Sequence, residues 1–377
     1  MVKFDIIEDN KERIIFMLKT LIILLILNLS LFSNQTIINN PNSKKIVFIN
    51  PGKSDEIFWV NVSNFMKAAA NDFGFELKII YAQRNHFKMI EIMQDVVNQK
   101  IKPDFLIIVN ENNMADKLLK ISNKHKIKTM LILNDLSKQQ KSVFGKPRGY
   151  FPYWIGSIIP DNIQAGYLIA KSLIENSKHK NINMIAINGD ESTFAARHRY
   201  MGLKQALKEN PHVNFYQHFS ADWREDISAQ ITQRALKRYP DTNVIWTAND
   251  PMAIGAIQAI VKTNKKILVS GLNWSQDALR AIKNDKMLAS VGGHYMIGGW
   301  SIVLLYDYIN GRDFIDESLE LKQHIFSTIN KSNYKTYQKY FKNEDFEQID
   351  FTKFSKTENN SLKKYNFSLL EILGQLK

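Results

Sequence analysis

From Lys44 onward the chain alternates short, near-continuous apolar runs with longer segments that are apolar on one face only. The run at 46–49 (IVFI) ends in Asn50-Pro51-Gly52. A segment follows with Phe58, Trp59, Val62, Phe65, Met66 and Ala69 at helical spacing, and it stops at Gly74. Runs at 77–81, 105–109 and 129–133 repeat the pattern, with helical periodicity over 86–99 and 114–125 between them. Strands that are apolar on both faces and separated by helices belong to a parallel sheet covered on both sides. After a polar loop at 137–153, a run at 154–159 reads as a strand crossing out of this unit. The alternation then restarts, with apolar runs at 184–187, 213–218, 244–246, 267–270 and 287–291. The expected fold class is therefore α/β, built as two Rossmann-like lobes with parallel sheets. The expected N-terminal lobe is 44–158 plus about 294–325, and the expected C-terminal lobe is 159–293. Residues 326–377 carry Phe346, Phe351, Phe354, Phe367 and Ile372, too much apolar surface for a disordered tail. They are expected as a C-terminal extension packed on the lobes.

Composition removes several function classes. With 377 residues, 45% hydrophobic and 23% charged, the chain has room for two ordinary domains. It has no cysteine, which excludes disulfides, thiolate metal sites, thiol nucleophiles and a lipid-bearing cysteine. The net charge is +13. The lysines are scattered over polar helix faces and the tail without a nucleic-acid-binding pattern, so they read as a solvated basic surface and no nucleic-acid partner is expected. Residues 21–32 (LIILLILNLSLF) are too short to span a bilayer comfortably and suit the apolar core of a signal peptide. Residues 1–33 are read as that signal, with cleavage near Ser33. Acidic residues before it (Asp5, Glu8, Asp9, Glu12) make Met17 the more ordinary start. The body of the protein is then exported to the periplasm.

The residues just past the strands form a chemical set. Asn50, Asn110, Asn134, Trp223, Asn249, Asp250, Asn273 and Trp274 stand at strand ends, and Phe58, Trp59 and Arg197 are supplied by the helices that follow. In open α/β sheets this rim is where ligands bind. At 244–260, Asp250 reads as a helix N-cap and Pro251 as the first helical residue, which leaves Asn249 facing the helix start. Asn and Asp also occur at such turns simply as caps, but caps do not require Trp59, Trp223 and Trp274 beside them. Amides offer paired donors and acceptors, an arginine offers a planar fork, and aromatics offer flat apolar faces. That mixture suits a neutral sugar or polyol. His294 follows a strand end and reads equally as a ligand contact or as packing. His86, His198 and His294 have no serine elbow and no paired acids beside them, so no enzyme is read. Gly52, Gly189 and Gly271 are isolated, which removes nucleotide fingerprints, and no metal or other cofactor is expected.

Four motifs carry a family resemblance: PDNIQAGYLIA (160–170), GDESTFAARHRYMGLKQAL (189–207), ANDPMAIGA (248–256) and GLNWSQDALRAI (271–282). Together they resemble the periplasmic sugar-binding proteins of the ribose/galactose-binding type, and the likeness spans about 44–314. The resemblance implies a type 1 periplasmic binding protein, with two lobes joined by three hinge crossovers, here near 155–160, 271–273 and 291–294. It implies that Arg197 forks onto sugar hydroxyls, that Asn249 contacts ligand from the second lobe, and that Trp223, Phe58 and Trp59 stack on it, with Asn110 as a polar contact. The family often has aspartate where this chain has Asn134 and Asn273, and glutamine where it has Gly293. The aromatic-rich set and long tail are similar to the subgroup that includes autoinducer-2 receptors. Two roles stay open at this point. One is the soluble receptor that hands a sugar to the membrane permease of an ABC transporter. The other is a sensory receptor that docks on a membrane sensor kinase.

Overall fold

A computed structural model of the protein describes residues 43–341 and 344–375. The signal-peptide reading of residues 1–33 lies outside the described residues. The fold rests on two six-stranded sheets. In the first, β1 (Lys45–Asn50), β2 (Glu76–Tyr81), β3 (Phe105–Val109), β4 (Lys128–Ile132), β5 (Trp154–Pro160) and β11 (Glu320–Gln323) lie in the order β11-β5-β4-β3-β1-β2, all parallel. In the second, β6 (Ile182–Asn188), β7 (Val213–Ser220), β8 (Val244–Thr247), β9 (Leu268–Leu272), β10 (Ala289–Gly292) and β12 (Ser327–Asn330) lie in the order β12-β10-β9-β8-β6-β7. Only β12 runs antiparallel to its neighbour.

Alternation along single strands explains the layering. In β1, Ile46 and Phe48 face a core shared with α1 (Ile57–Asp72) and α10 (Ile297–Ile309), while Val47 and Ile49 face α2 (His86–Val97) and α3 (Ala115–Lys124). Both faces are apolar because both are covered. The remaining helices are α4 (Lys138–Phe144), α5 (Asn162–Asn176), α6 (Phe194–Glu209), α7 (Glu225–Arg238), α8 (Asp250–Val261), α9 (Gln276–Lys283), α11 (Tyr334–Phe341) and α12 (Leu369–Gln375).

Three short passages connect the sheets. The first lies between β5 and α5, which packs on the second sheet, and the second between β10 and α10, which packs on α1. The third is the link 324–326 between β11 and β12. Residues 271–273, read from sequence as a crossing, are not one: Gly271 and Leu272 belong to β9, which pairs with β10 and leads to α9 on the same lobe. A glycine before a polar turn looks like a hinge in sequence, but here the glycine only makes room for Asp250, whose carboxylate oxygen would lie 2.8 Å from a Cβ at Gly271. Residues 327–330, assigned from sequence to the extension, are the edge strand β12 of the second sheet.

A buried carboxylate clasps the tail to the first lobe. Asp307 on α10 is fully buried and accepts from Ser355 Oγ (2.5 Å), Lys356 N (2.8 Å), Thr357 N (3.0 Å) and Tyr365 Oη (2.9 Å). Beside it Phe367 stacks on Trp300 with centroids 4.7 Å apart. Removing the acceptor leaves several buried donors unpaired. Asp307→Ala is therefore expected to lower the unfolding free energy by about 3 kcal/mol, read as a fall in urea midpoint at constant m-value. A midpoint within error of wild type would show that the clasp contributes nothing.

Candidate functional site

Between the two sheets, the C-terminal strand ends and the first helical turns enclose a cavity of about 710 Å³, within the range of roughly 300–1,000 Å³ usual for small-molecule sites. Of the residues singled out from sequence, Phe58, Trp59, Asn134, Trp223, Asn249, Asn273 and His294 line it. In each lobe a tryptophan packs on a glycine just past a strand end. Trp59, in the helix after β1, packs on Gly52, and Trp223, after β7, packs on Gly189, just past β6. A Cβ on Gly52 would sit 2.2 Å from the Trp59 ring, and one on Gly189 would sit 2.3 Å from the Trp223 ring.

The turns that present these side chains carry left-handed backbone. Gln83 and Arg84 follow β2 with φ of 56° and 61°, and Leu133 follows β4 with φ 65°. Asp222 and Trp223 follow β7 at 49° and 65°, and Asn273 and Trp274 follow β9 at 148° and 59°. Such conformations cost energy for residues with a Cβ and concentrate at functional sites.

Five sequence-predicted residues are not among those that line the cavity. Asn50 spends its side chain on Trp59 O, Ser63 Oγ and the Gly52 amide, which fixes the turn after β1. Asn110 does the same after β3, donating to Asp135 O and Gln140 Oε1 and accepting from the Ala115 amide. Asp250 is fully buried behind the wall, where it accepts from the Ser275 amide (2.9 Å) and Ser290 Oγ (2.8 Å). Burial pushes its carboxyl up to about 6, against those hydrogen bonds and Arg199. The helix cap is instead Asn249, whose Oδ1 accepts from the Met252 amide while Nδ2 donates to Trp223 O. Trp274 packs on Gly292 and donates from Nε1 to Ser290 O, 3.2 Å away, as a core residue.

The fifth correction is the arginine. Arg197 is exposed and donates to the carbonyls of Glu191 and Ser192 on its own loop. Arg199, two residues on and so nearly opposite on the helix, is buried in the cavity wall. Its guanidinium donates to Asn162 Oδ1 (3.0 Å), Ala248 O (2.8 Å) and His294 Nε2 (3.2 Å), and lies 5.4 Å from the Trp223 ring centroid. A guanidinium has five N–H groups, so donors remain for the cavity. Burial draws its pKa down to about 9, partly opposed by Asp250, which leaves it charged at neutral pH. Burial, with Arg199 second, holds His294 well below the ordinary histidine value, so His294 is neutral and accepts at Nε2. Its ring stacks on Phe58 at 4.5 Å.

The opposite wall holds a second, compensated arginine. Arg84 donates from Nη1 to Glu111 (2.6 Å), grips Glu56 through Nε and Nη2, and lies over the Trp59 ring at 5.6 Å. Glu111 is pushed up by burial and drawn back by Arg84. The sequence reading missed Arg199, Asn162, Arg84, Glu111, Asn61 and Tyr295, all of which line the cavity. One signal was available for Arg199: with Ala196, Leu203 and Ala206 it falls on the apolar stripe of α6, where a charged residue is out of place unless it has a task. Among the described residues, Trp59 Nε1, Asn61 Oδ1 and His294 Nδ1 are buried atoms without a hydrogen-bond partner, in residues that line the cavity elsewhere.

The Trp223–Gly189 contact has a measurable consequence. Gly189→Ala is expected to cost about 1–3 kcal/mol by overpacking, and most of that cost is expected to vanish when Trp223 is also Ala. Denaturant unfolding of the single and double variants checks this, and an equal loss in both backgrounds would place the cause elsewhere.

Comparison with known proteins agrees with this geometry. Residues 46–313 match the periplasmic binding protein domain family. The ribose import binding protein of Haemophilus influenzae is 25% identical over 68% of this chain and 83% of its own length. The galactofuranose-binding protein of Escherichia coli is 24% identical over 61% of this chain and 71% of its own. The crystal structure of a periplasmic sugar-binding protein from Pseudomonas fluorescens superimposes with a TM-score of 0.78 at 32% identity, covering 88% of this chain and 99% of that one. Two parallel-stranded lobes around an aromatic- and amide-lined cleft, matched over most of their length, identify the chain as a member of the periplasmic sugar-binding proteins of the ribose/galactose-binding type, non-enzymatic solute-binding components of ABC importers.

Proposed function

We propose that the cleft captures a neutral pentose, hexose or related furanose and presents it to the membrane permease of an ABC importer. The observation that carries this reading is the buried Arg199 in the cavity wall, beside the Trp223 ring and with donors unspent. Buried polar groups ordinarily have partners. Groups of both hydrogen-bonding senses, set between flat aromatic faces, match the alternating C–H faces and hydroxyls of a sugar ring. Relatives named for ribose and galactofuranose support the same solute class. The acidic residues Glu56, Glu111 and Asp190 in the lining disfavour an anionic solute.

On this reading the ligand contacts are Phe58, Trp59, Asn134, Trp223, Asn249, Asn273 and His294, with Arg199 in the role first given to Arg197. Closure follows from ligand touching both lobes, which selects the closed state. A calorimetric screen of neutral pentoses, hexoses and furanoses is expected to give a saturable hit. Arg199→Ala is expected to weaken that hit by at least ~1.5 kcal/mol, about tenfold. Arg197→Ala should stay within about twofold, as for an exposed residue. A screen without any response removes the sugar reading, and equal effects of the two variants remove the reassignment.

A further inference from the structure

The tail touches both lobes. At its start, Lys331 Nζ donates to Lys283 O (2.6 Å) and pairs with Asp285 (2.7 Å) at the end of α9, and α11 packs on α9 and β12 of the second lobe. Beyond residue 343 it belongs to the first lobe. Glu344 Oε1 accepts from Asn61 Nδ2 on α1 (3.1 Å), Phe346 meets Phe65 edge-on at 5.1 Å, and the Phe351 amide donates to Asp72 (2.7 Å). The chain therefore passes between the lobes a fourth time, in addition to the three passages that join the sheets.

This fourth passage reaches the cavity wall. Tyr337 on α11 packs against Trp274 of the second lobe at 4.9 Å, and its hydroxyl lies 3.1 Å from that of Tyr295. Tyr295 lies within the second passage, packs edge-on against Phe65 of α1 and against Trp274, and lines the cavity. Asn61, held by Glu344, lines it as well. We propose that the C-terminal tail is a fourth interlobe connection that limits opening of the cleft, with Tyr337 and Glu344 as the positioning residues through which it holds the cavity walls Tyr295 and Asn61. The physical reason is direct. Tyr337 is wedged between Trp274 of the second lobe and Tyr295 of the second passage, and Glu344, further along the chain, is held by Asn61 on α1. Separating the lobes must pull Tyr337 from Trp274 or Tyr295, or Glu344 from Asn61.

The proposal builds on the cleft as the ligand site, but its test needs no ligand. The native chain has no cysteine, so Lys88→Cys and Asp226→Cys place one spin label on each lobe without background, and the interlobe distance distribution is read by pulsed electron paramagnetic resonance. Deleting the tail would bare Phe65 and Trp300, which its aromatic residues cover, so point variants are used. In Tyr337→Phe/Glu344→Ala the ligand-free distribution is expected to broaden and move to longer distances. Glu344→Gln, which keeps an acceptor oxygen, is expected to stay at the wild-type distribution. Circular dichroism and thermal unfolding confirm that each variant is folded. A folded double variant whose distribution superimposes on wild type overturns the proposal, whatever its affinity for sugar. A shifted distribution in a protein that binds no sugar upholds the tether and removes only the sugar reading.

Discussion

The arrangement depends on taking the Arg199 guanidinium out of water. An unpaired cation costs several kcal/mol to bury, and no carboxylate pairs with it directly; Asp250 acts only at a distance. The structure offsets the cost with three acceptors from three different segments: Asn162 at the start of α5, the Ala248 carbonyl past β8, and His294 past β10. For that to work, α6 must lie close against α5, and it does: a Cβ on Gly166 would sit 1.8 Å from the Arg199 carbonyl oxygen. Backbone contact between two helices thus sets the height of the arginine. Two chain crossings meet on it, since Asn162 follows the first passage and His294 lies within the second.

Much of the fold was legible because the signal is periodic. Strands such as FLIIV, apolar on both faces, admit little except a covered parallel sheet, and their alternation with helices sets two lobes. What was not legible is short or polar. Strand β12 reads STIN, with Ile329 its one apolar residue, and it is a strand only because β10 offers an unpaired edge. The aromatics of the tail announced burial but not a destination, because the surface they cover on α1 and α10 is assembled from distant segments.

The site was legible by position and less so by role. Every asparagine at a strand end was visible, but whether a side chain turns inward to its own loop or outward to the cleft is decided by partners several residues away. Asn50 and Asn110 find those partners in Ser63 and Gln140. Asn134 and Asn273 reach the cavity. The arginine error has a plainer cause. Arg197 and Arg199 are both plausible forks by type, and only helical phase separates them. Each residue turns the helix by about 100°, so the stripe Ala196, Arg199, Leu203, Ala206 points into the protein and Arg197 points away. Weighing residue type before phase picked the arginine on the face turned away from the cavity.

The charge of the protein and the charge of its cavity run in opposite directions, and the contrast bears on selection. The chain carries +13 overall, and a basic surface by itself would draw anions toward the cleft. Inside, Arg199, which has no direct carboxylate partner, faces a wall on which Glu56 and Glu111 hold Arg84 between them, with Asp190 close enough to act on Glu111. A sugar acid or phosphate drawn in by the surface would meet these carboxylates at low dielectric, where like charges repel more strongly than in water. A neutral ring can satisfy both walls, donating hydroxyls to the carboxylates and amides and accepting from the arginine. On the proposed function, discrimination against anions therefore does not come from removing positive charge. It comes from answering Arg84 twice with carboxylates and leaving Arg199 for the ligand to answer with neutral oxygens.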